Sequence, residues 1–260
     1  KKIIQIATNE GIDTIDTAIS YGSSEKVLGY AGIDAWNVVS KLPPIANDSQ
    51  PIAEWVESQV RNSLQRLKIE KLYAMLLHKP AQLRQCYGQI IWSTLQKLKD
   101  NDLISNIGYS IYDPEELDFL WDDFRPDIVQ VPLNLVDRRI LHSGWLDKLH
   151  NASCEIHVRS VFLQGLLLNK PFMFPQYFNT WSSLWNEYTN WLNSKDLEPL
   201  QACLSFVLNF PQISKIIIGV DSPQDLEKIL KCETSQIIDF PEEISSTDKN
   251  LINPSEWRIL

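Results

Sequence analysis

Four side chains able to move protons stand at or just past the ends of three successive apolar runs. Asp16 closes the run Thr14-Ile15, and Tyr21 lies in the loop that follows. Lys41 comes after Trp36-Asn37-Val38-Val39-Ser40, and His78 comes after the continuous run Leu72 to Leu77. A carboxylate, a phenol, an ammonium and an imidazole are all types used in general acid–base chemistry. A tyrosine, with a free pKa of about 10, works near neutrality only beside a positive charge that favours its phenolate. Taken singly, each residue has a plainer reading. Asp16 could cap the next element, Tyr21 could be a loop aromatic, Lys41 a solvated strand end and His78 a core histidine. Together they are delivered to one end of consecutive strands, where α/β barrels keep their chemistry.

The elements that would position them alternate in type. Lys1 to Glu10 reads as a helix with Ile3, Ile4, Ile6 and Ala7 inward, closed by Gly11. Ile52, Val56, Val60, Leu64 and Leu67 recur at helical spacing, with Asp48 or Ser49 and Pro51 as start signals. Leu72 to Leu77 has the pattern of a parallel strand buried on both faces. A helix through Ile90, Ile91, Leu95 and Leu98 follows, then a strand over Ile104 to Tyr109 that ends on Ser110. Asp113-Pro114-Glu115-Glu116 is a capping box. Strands are expected at 127–131, 156–159 and 214–218, and a helix from Leu141 to Leu149. Seven strands, each with a helix, give the βα alternation of a parallel sheet. Trp181, Trp185, Tyr188 and Leu192 mark one helix face, expected to be core, while 172–178 are candidates for a substrate lid.

Gly11, Asp16-Thr17-Ala18, Tyr21-Gly22, Glu25 and Leu28-Gly29 resemble the N-terminal signature of the aldo-keto reductases. Ser40-Lys41 and Leu77-His78 continue the likeness, which extends to Asn253-Pro254-Ser255-Glu256-Trp257. The resemblance implies an α/β fold, a (β/α)8 TIM barrel, lacking the first barrel strand in this chain. Either the chain is part of a longer barrel or the barrel closes differently. It also implies NAD(P)-dependent hydride transfer between a nicotinamide cofactor and a carbonyl or alcohol substrate such as an aldehyde, ketone or sugar. Tyr21 would be the acid/base, Lys41 its tuner, Asp16 the partner holding Lys41, and His78 the group at the reacting oxygen.

On the cofactor side the resemblance implies contacts from Ser110 and Gln130, with Ile111 where an Asn is expected and Arg159 where a stacking aromatic often lies. Arg159 could stack its guanidinium, pair with a substrate carboxylate, or simply bridge to a nearby acid. Ser160, Phe162 and Gln164 fall in text resembling the family's pyrophosphate loop. Gly219 and Ser222 fall where it clamps the adenosine phosphate. Ser222 followed by Pro223 is a helix start whose N–H groups suit a phosphate or serve only as a cap. Asp221 and Asp225 bring negative charge there, so NADP(H) and NAD(H) both stay open, with Lys228 and Lys231 able to reach back.

The chain has 260 residues, 44% hydrophobic, with a net charge of −9. This suits one domain over 1–260, with 240–260 as a wrapping C-terminal tail. An acidic chain without a basic run argues against nucleic acid and membrane as partners, and the resemblance implies a small carbonyl or sugar substrate. No apolar run reaches about 18 residues and no signal-peptide core opens the chain, so a cytoplasmic protein is expected. Cys86, Cys154, Cys203 and Cys232 lack metal spacing and read as buried thiols, with no metal site expected. Two rival functions remain: a catalytically silent barrel that binds a cofactor or metabolite, and sugar epimerisation or elimination with transient use of the cofactor.

Overall fold

The computed structural model describes residues 1–46, 51–170, 173–234 and 239–257. They divide into two compact units, Lys1–Gln130 with Asn151–Glu155, and Val131–His150 with Ile156–Leu260. In chain order the first elements are α1 (Lys2–Asn9), β1 (Thr14–Asp16), α2 (Ser24–Ala31), β2 (Asn37–Leu42), α3 (Ile52–Leu67) and β3 (Leu72–Leu77). Then come α4 (Gly88–Asp100), β4 (Ile104–Ser110), α5 (Glu115–Leu120), β5 (Ile128–Pro132), α6 (Arg139–His142), α7 (Trp145–Asn151) and β6 (Glu155–Arg159). The chain continues through α8 (Ser182–Ser194), α9 (Pro199–Leu208), β7 (Lys215–Ile216), α10 (Pro223–Leu230) and α11 (Lys249–Ile252).

In the first unit β1 to β5 pair in sequence order, all parallel. Register puts Asp16 beside Val39, Lys41 beside Leu76, Leu76 beside Gly108, Gly108 beside Ile128, and Ser110 beside Gln130. Side chains alternate along a strand, so Asp16, Lys41, His78, Ser110 and Gln130 share one face of the sheet. Val39, Ala74, Leu76 and Ile128 lie below them on that face as a fully buried apolar cluster. The polar residues therefore stand on a dry, close-packed floor.

The opposite face receives the helices. Ser40 donates to Glu25 of α2 at 2.7 Å, and Tyr109 packs against Trp92 of α4. Glu25 is a buried carboxylate, and its solvation is replaced by Ser40, Ser63 (2.6 Å) and Arg66 (2.7 Å). Gly29 lets α2 lie on the end of α3, since a Cβ there would stand 2.3 Å from the Arg66 carbonyl oxygen. Two residues of the N-terminal signature thus join α2 to β2 and α3. At Asp113 the expected box forms: Glu116 Oε1 accepts from the Asp113 N–H and Asp113 Oδ1 from the Glu115 N–H.

The second unit departs from the sequence expectation in several places. The single helix expected from Leu141 to Leu149 is two, because Gly144 takes φ +74° and breaks the ladder between α6 and α7. β7 is only two residues long and pairs with β6 through His157–Lys215 and Val158–Ile216. Trp185, Tyr188 and Leu192 of α8 are buried, as a core face requires, while Trp181 is half-buried. Phe178 is no lid: it is buried, with Trp257 edge-on at 4.9 Å. Phe172 lies outside the described residues, as do Asp48 and Ser49. After the chain leaves 235–238, buried Arg138 grips it through the carbonyls of Phe240 and Pro241 and the Glu242 carboxylate. Trp257 donates to the Leu251 carbonyl. Among the described residues no helix is long and apolar enough to cross a membrane.

Not all thiols are interior. Cys86 is exposed and Cys232 half-exposed, whereas Cys154 and Cys203 are buried. Burial pushes both the Cys154 and Cys203 thiols up to about 12. Their thiolate forms are therefore scarce at pH 8, and iodoacetamide is expected to label Cys86 in the native protein but Cys154 and Cys203 only in denaturant, read by mass spectrometry. Glu25→Ala strands two buried hydroxyls and the Arg66 guanidinium. It is expected to lower stability by about 3 kcal/mol in urea unfolding, and a loss below about 1 kcal/mol would show that the cluster does not hold α2 in place.

Candidate active site

The strand ends of the first unit carry a connected polar network. Lys41 is 2% exposed, and its ammonium donates to Asp16 Oδ2 at 2.5 Å and to the Thr17 carbonyl at 2.9 Å. A buried charge costs several kcal/mol unless it is paired and hydrogen-bonded, and this one is both. Asp16 Oδ1 in turn accepts from the Gln130 side-chain amide at 2.7 Å. The Ser110 hydroxyl approaches Gln130 Oε1 at 3.4 Å, across the β4–β5 register.

Tyr21 is held over this network by its loop. The chain turns at once after β1: the Tyr21 N–H donates to the Ala18 carbonyl, the Ser24 N–H to the Tyr21 carbonyl, and Gly22 takes φ +55°. The Thr17 and Ser24 hydroxyls bond at 2.9 Å, tying the strand end to the start of α2. As a result the Lys41 ammonium sits 5.3 Å from the Tyr21 ring centroid. The His78 ring stands edge-on to Tyr21 at 5.6 Å, with its Nδ1 3.1 Å from the Ser20 hydroxyl. Tyr21 is 49% exposed, so a molecule arriving from solvent can reach the phenol, whereas Lys41 beneath it is sealed.

The structure therefore brings together Asp16, Tyr21, Lys41, His78, Ser110 and Gln130. Lys41 is not a solvated strand end and His78 is only half-buried. Ile111 is fully buried, and its N–H donates to the Gln130 carbonyl, continuing the β4–β5 ladder. Gln130 is committed to Asp16 through its amide, a link for which the sequence carried no sign.

The remaining predicted residues lie in the second unit in two separate groups. Arg159 closes β6 and donates to the Ser160 hydroxyl at 3.2 Å. The loop after it has left-handed backbone at Ser160, Leu163, Gln164 and Gly165, three of them not glycine. Such conformations persist only where the surroundings enforce them. Part of that enforcement comes from Asn134, which is buried and donates to the Ser160 carbonyl while its Oδ1 accepts from the N–H groups of Val136 and Asp137. Asn134 was missed in the sequence, although a lone amide just past an apolar strand is the available signal. Phe162 is half-buried and Gln164 exposed in the same loop. In the second group Gly219 is exposed ahead of α10. Ser222 caps α10, accepting from the Asp225 N–H and donating to the Asp225 carboxylate at 2.6 Å. No cluster of His, Cys, Asp and Glu suited to a metal occurs among the described residues.

The family model for the aldo/keto reductase family matches residues 1–243. Several solved structures share the fold. The holo form of an aldo-keto reductase from Bacillus halodurans superposes with a TM-score of 0.74 at 17% identity, covering 91% of this chain and 82% of that one. The apo form gives 0.71 at 17%, covering 94% and 83%. A glycerol dehydrogenase from Gluconobacter oxydans gives 0.71 at 22%, covering 93% and 81%. No curated protein sequence matches. These likenesses identify the α/β class as that of the (β/α)8 barrel, with seven strands among the described residues. The chain belongs to the aldo/keto reductase family of oxidoreductases, whose members generally use NAD(P)H.

Proposed function

We propose that this protein transfers a hydride between a nicotinamide cofactor and a small carbonyl or sugar substrate, with Tyr21 as the proton donor or acceptor at the substrate oxygen. The observation that carries this reading is the sealed ammonium of Lys41 5.3 Å from the Tyr21 ring. A positive charge so placed favours the phenolate and lets a phenol act near neutral pH. In reduction, the Tyr21 hydroxyl gives its proton to the carbonyl oxygen as that oxygen takes up negative charge; in oxidation, the phenolate takes the alcohol proton. Asp16 and the Thr17 carbonyl hold Lys41 still through the exchange. His78, oriented by Ser20 at Nδ1, offers its other ring nitrogen to the substrate oxygen.

The donor set fits a nicotinamide. The Ser110 hydroxyl at the end of β4 and the Gln130 amide within β5 lie side by side near the pair, both are buried, and a carboxamide needs one donor and one acceptor. When bound, the cofactor supplies or accepts the hydride. The left-handed loop at 160–165, with Arg159 at its start, is the natural holder for the pyrophosphate. Around Ser222 the chemistry favours NAD(H). Asp225 already occupies the α10 N-terminus through Ser222, Asp221 adds a second carboxylate, and Lys231 pairs with Glu227 one turn away. A phosphate dianion meets repulsion there.

Tyr21→Phe is expected to lower turnover by about 10²- to 10⁴-fold while leaving cofactor binding intact, measured by carbonyl-reduction assays and tryptophan quenching. Retained turnover would refute the assignment of Tyr21. Binding without turnover in the unaltered protein would favour a silent cofactor-binding barrel. The same titration is expected to give NADH the tighter binding by about tenfold over NADPH. The reverse preference would mean that Asp221 and Asp225 do not face the ribose.

A further inference from the structure

We propose that Gln130 is a positioning residue for the Asp16–Lys41 pair, setting where the ammonium stands beneath Tyr21. A carboxylate held at one oxygen can pivot about its Cβ–Cγ bond, and its partner moves with it. Asp16 is held at both. Oδ2 binds Lys41 at 2.5 Å and Oδ1 accepts from Gln130 Nε2 at 2.7 Å. Gln130 is itself fixed: it is 1% exposed, it sits in the β4–β5 ladder opposite Ser110, and its Oε1 lies 3.4 Å from the Ser110 hydroxyl. A chain of contacts therefore runs from Ser110 through Gln130 and Asp16 to Lys41, across strands β4, β5, β1 and β2. Its far end is the charge 5.3 Å from the Tyr21 ring.

Charge arithmetic supports the assignment. Asp16 and Lys41 are neutral in sum, but their field at Tyr21 depends on where the ammonium and the carboxylate stand, so a neutral donor on Oδ1 steadies the pair without adding charge to that field. A charged residue at position 130 would change that field as well as the geometry. The amide also has a free choice of only one orientation here, because Asp16 needs a donor and the Ser110 hydroxyl can serve the oxygen. Consequently Gln130 has only its second N–H and one lone pair of Oε1 left for a bound cofactor, and its principal work is on the acid–base pair. The kinetic side of this proposal rests on the reductase reading; the geometric side does not.

Gln130→Met keeps the length and loses the donor. In the full-length chain, two measurements decide. The first follows the Lys41 ammonium in a cooled ¹H–¹⁵N spectrum, assigned by its loss in Lys41→Met. With its carboxylate partner released, the Lys41 signal is expected to shift and broaden as its protons exchange faster. The second compares kcat at saturating NADH with the NADH dissociation constant from tryptophan quenching. A displaced ammonium is expected to lower kcat by about 10- to 100-fold. The dissociation constant is expected to rise by less than kcat falls, because only the residual contact of Gln130 to the cofactor is lost from binding. An unchanged ammonium signal overturns the proposal. So does weaker NADH binding with kcat unaltered, since Gln130 would then serve the cofactor alone. If the unaltered protein neither binds nor turns over, the reductase reading fails while the ammonium signal still decides the positioning. Should Gln130→Met not fold, Gln130→Asn, which keeps an amide one methylene too short to reach Asp16, is read in the same way.

Discussion

A lysine ammonium inside a parallel sheet is the constraint on which the first unit depends. Lys41 lies in β2 above a dry floor of Val39, Ala74, Leu76 and Ile128 and has almost no access to water. An ion in that position must find opposite charge and acceptors within the protein or neutralise. Asp16 and the Thr17 carbonyl meet the need, and both come from the end of β1 and the residue after it. The short first strand is therefore held beside β2 by the Lys41–Asp16 ion pair as well as by its ladder.

The two faces of β2 divide the labour of the signature. Lys41 points to the face that carries Asp16, Ser110 and Gln130. Ser40, one residue earlier, points the other way and helps solvate the buried Glu25 of α2. Glu25, Ser63 and Arg66 then secure α2 to α3, while Gly29 allows the close approach. Tyr21 hangs from the loop between β1 and α2, so its position depends on both faces at once. Residues with no chemical part thereby decide where the phenol stands.

In the second unit the organising device is backbone conformation rather than charge. Ser160, Leu163 and Gln164 hold left-handed geometry that L-residues seldom adopt, and buried Asn134 secures the turn at Ser160. At α10, by contrast, Ser222 and Asp225 satisfy each other. A helix N-terminus already carrying a carboxylate has less to offer a second anion. One loop is preformed around main-chain groups, and the other carries its own negative charge.

The sequence alone located the ends of β1 to β4 to within a residue, because hydrophobic pattern is local: Asp16 closes β1, His78 follows the continuous apolar run of β3 and Ser110 closes β4, while Lys41 stands one residue inside the end of β2. It also determined the parallel alternation and the buried face of α8, since hydrophobic period is a local property of the chain. Gly144 splitting α6 from α7 is a local break that the helical period hides, whereas the burial of Phe178 beneath Trp257 was not legible because it turns on a neighbour distant in sequence. The same holds for the site. Asp16, Tyr21, Lys41 and His78 were visible as candidates, but the bond from Gln130 to Asp16 spans 114 residues and exists only through the β4–β5 register and the face that it selects. Strand ends follow from local pattern, whereas which strand ends touch is decided by register and packing in the folded chain.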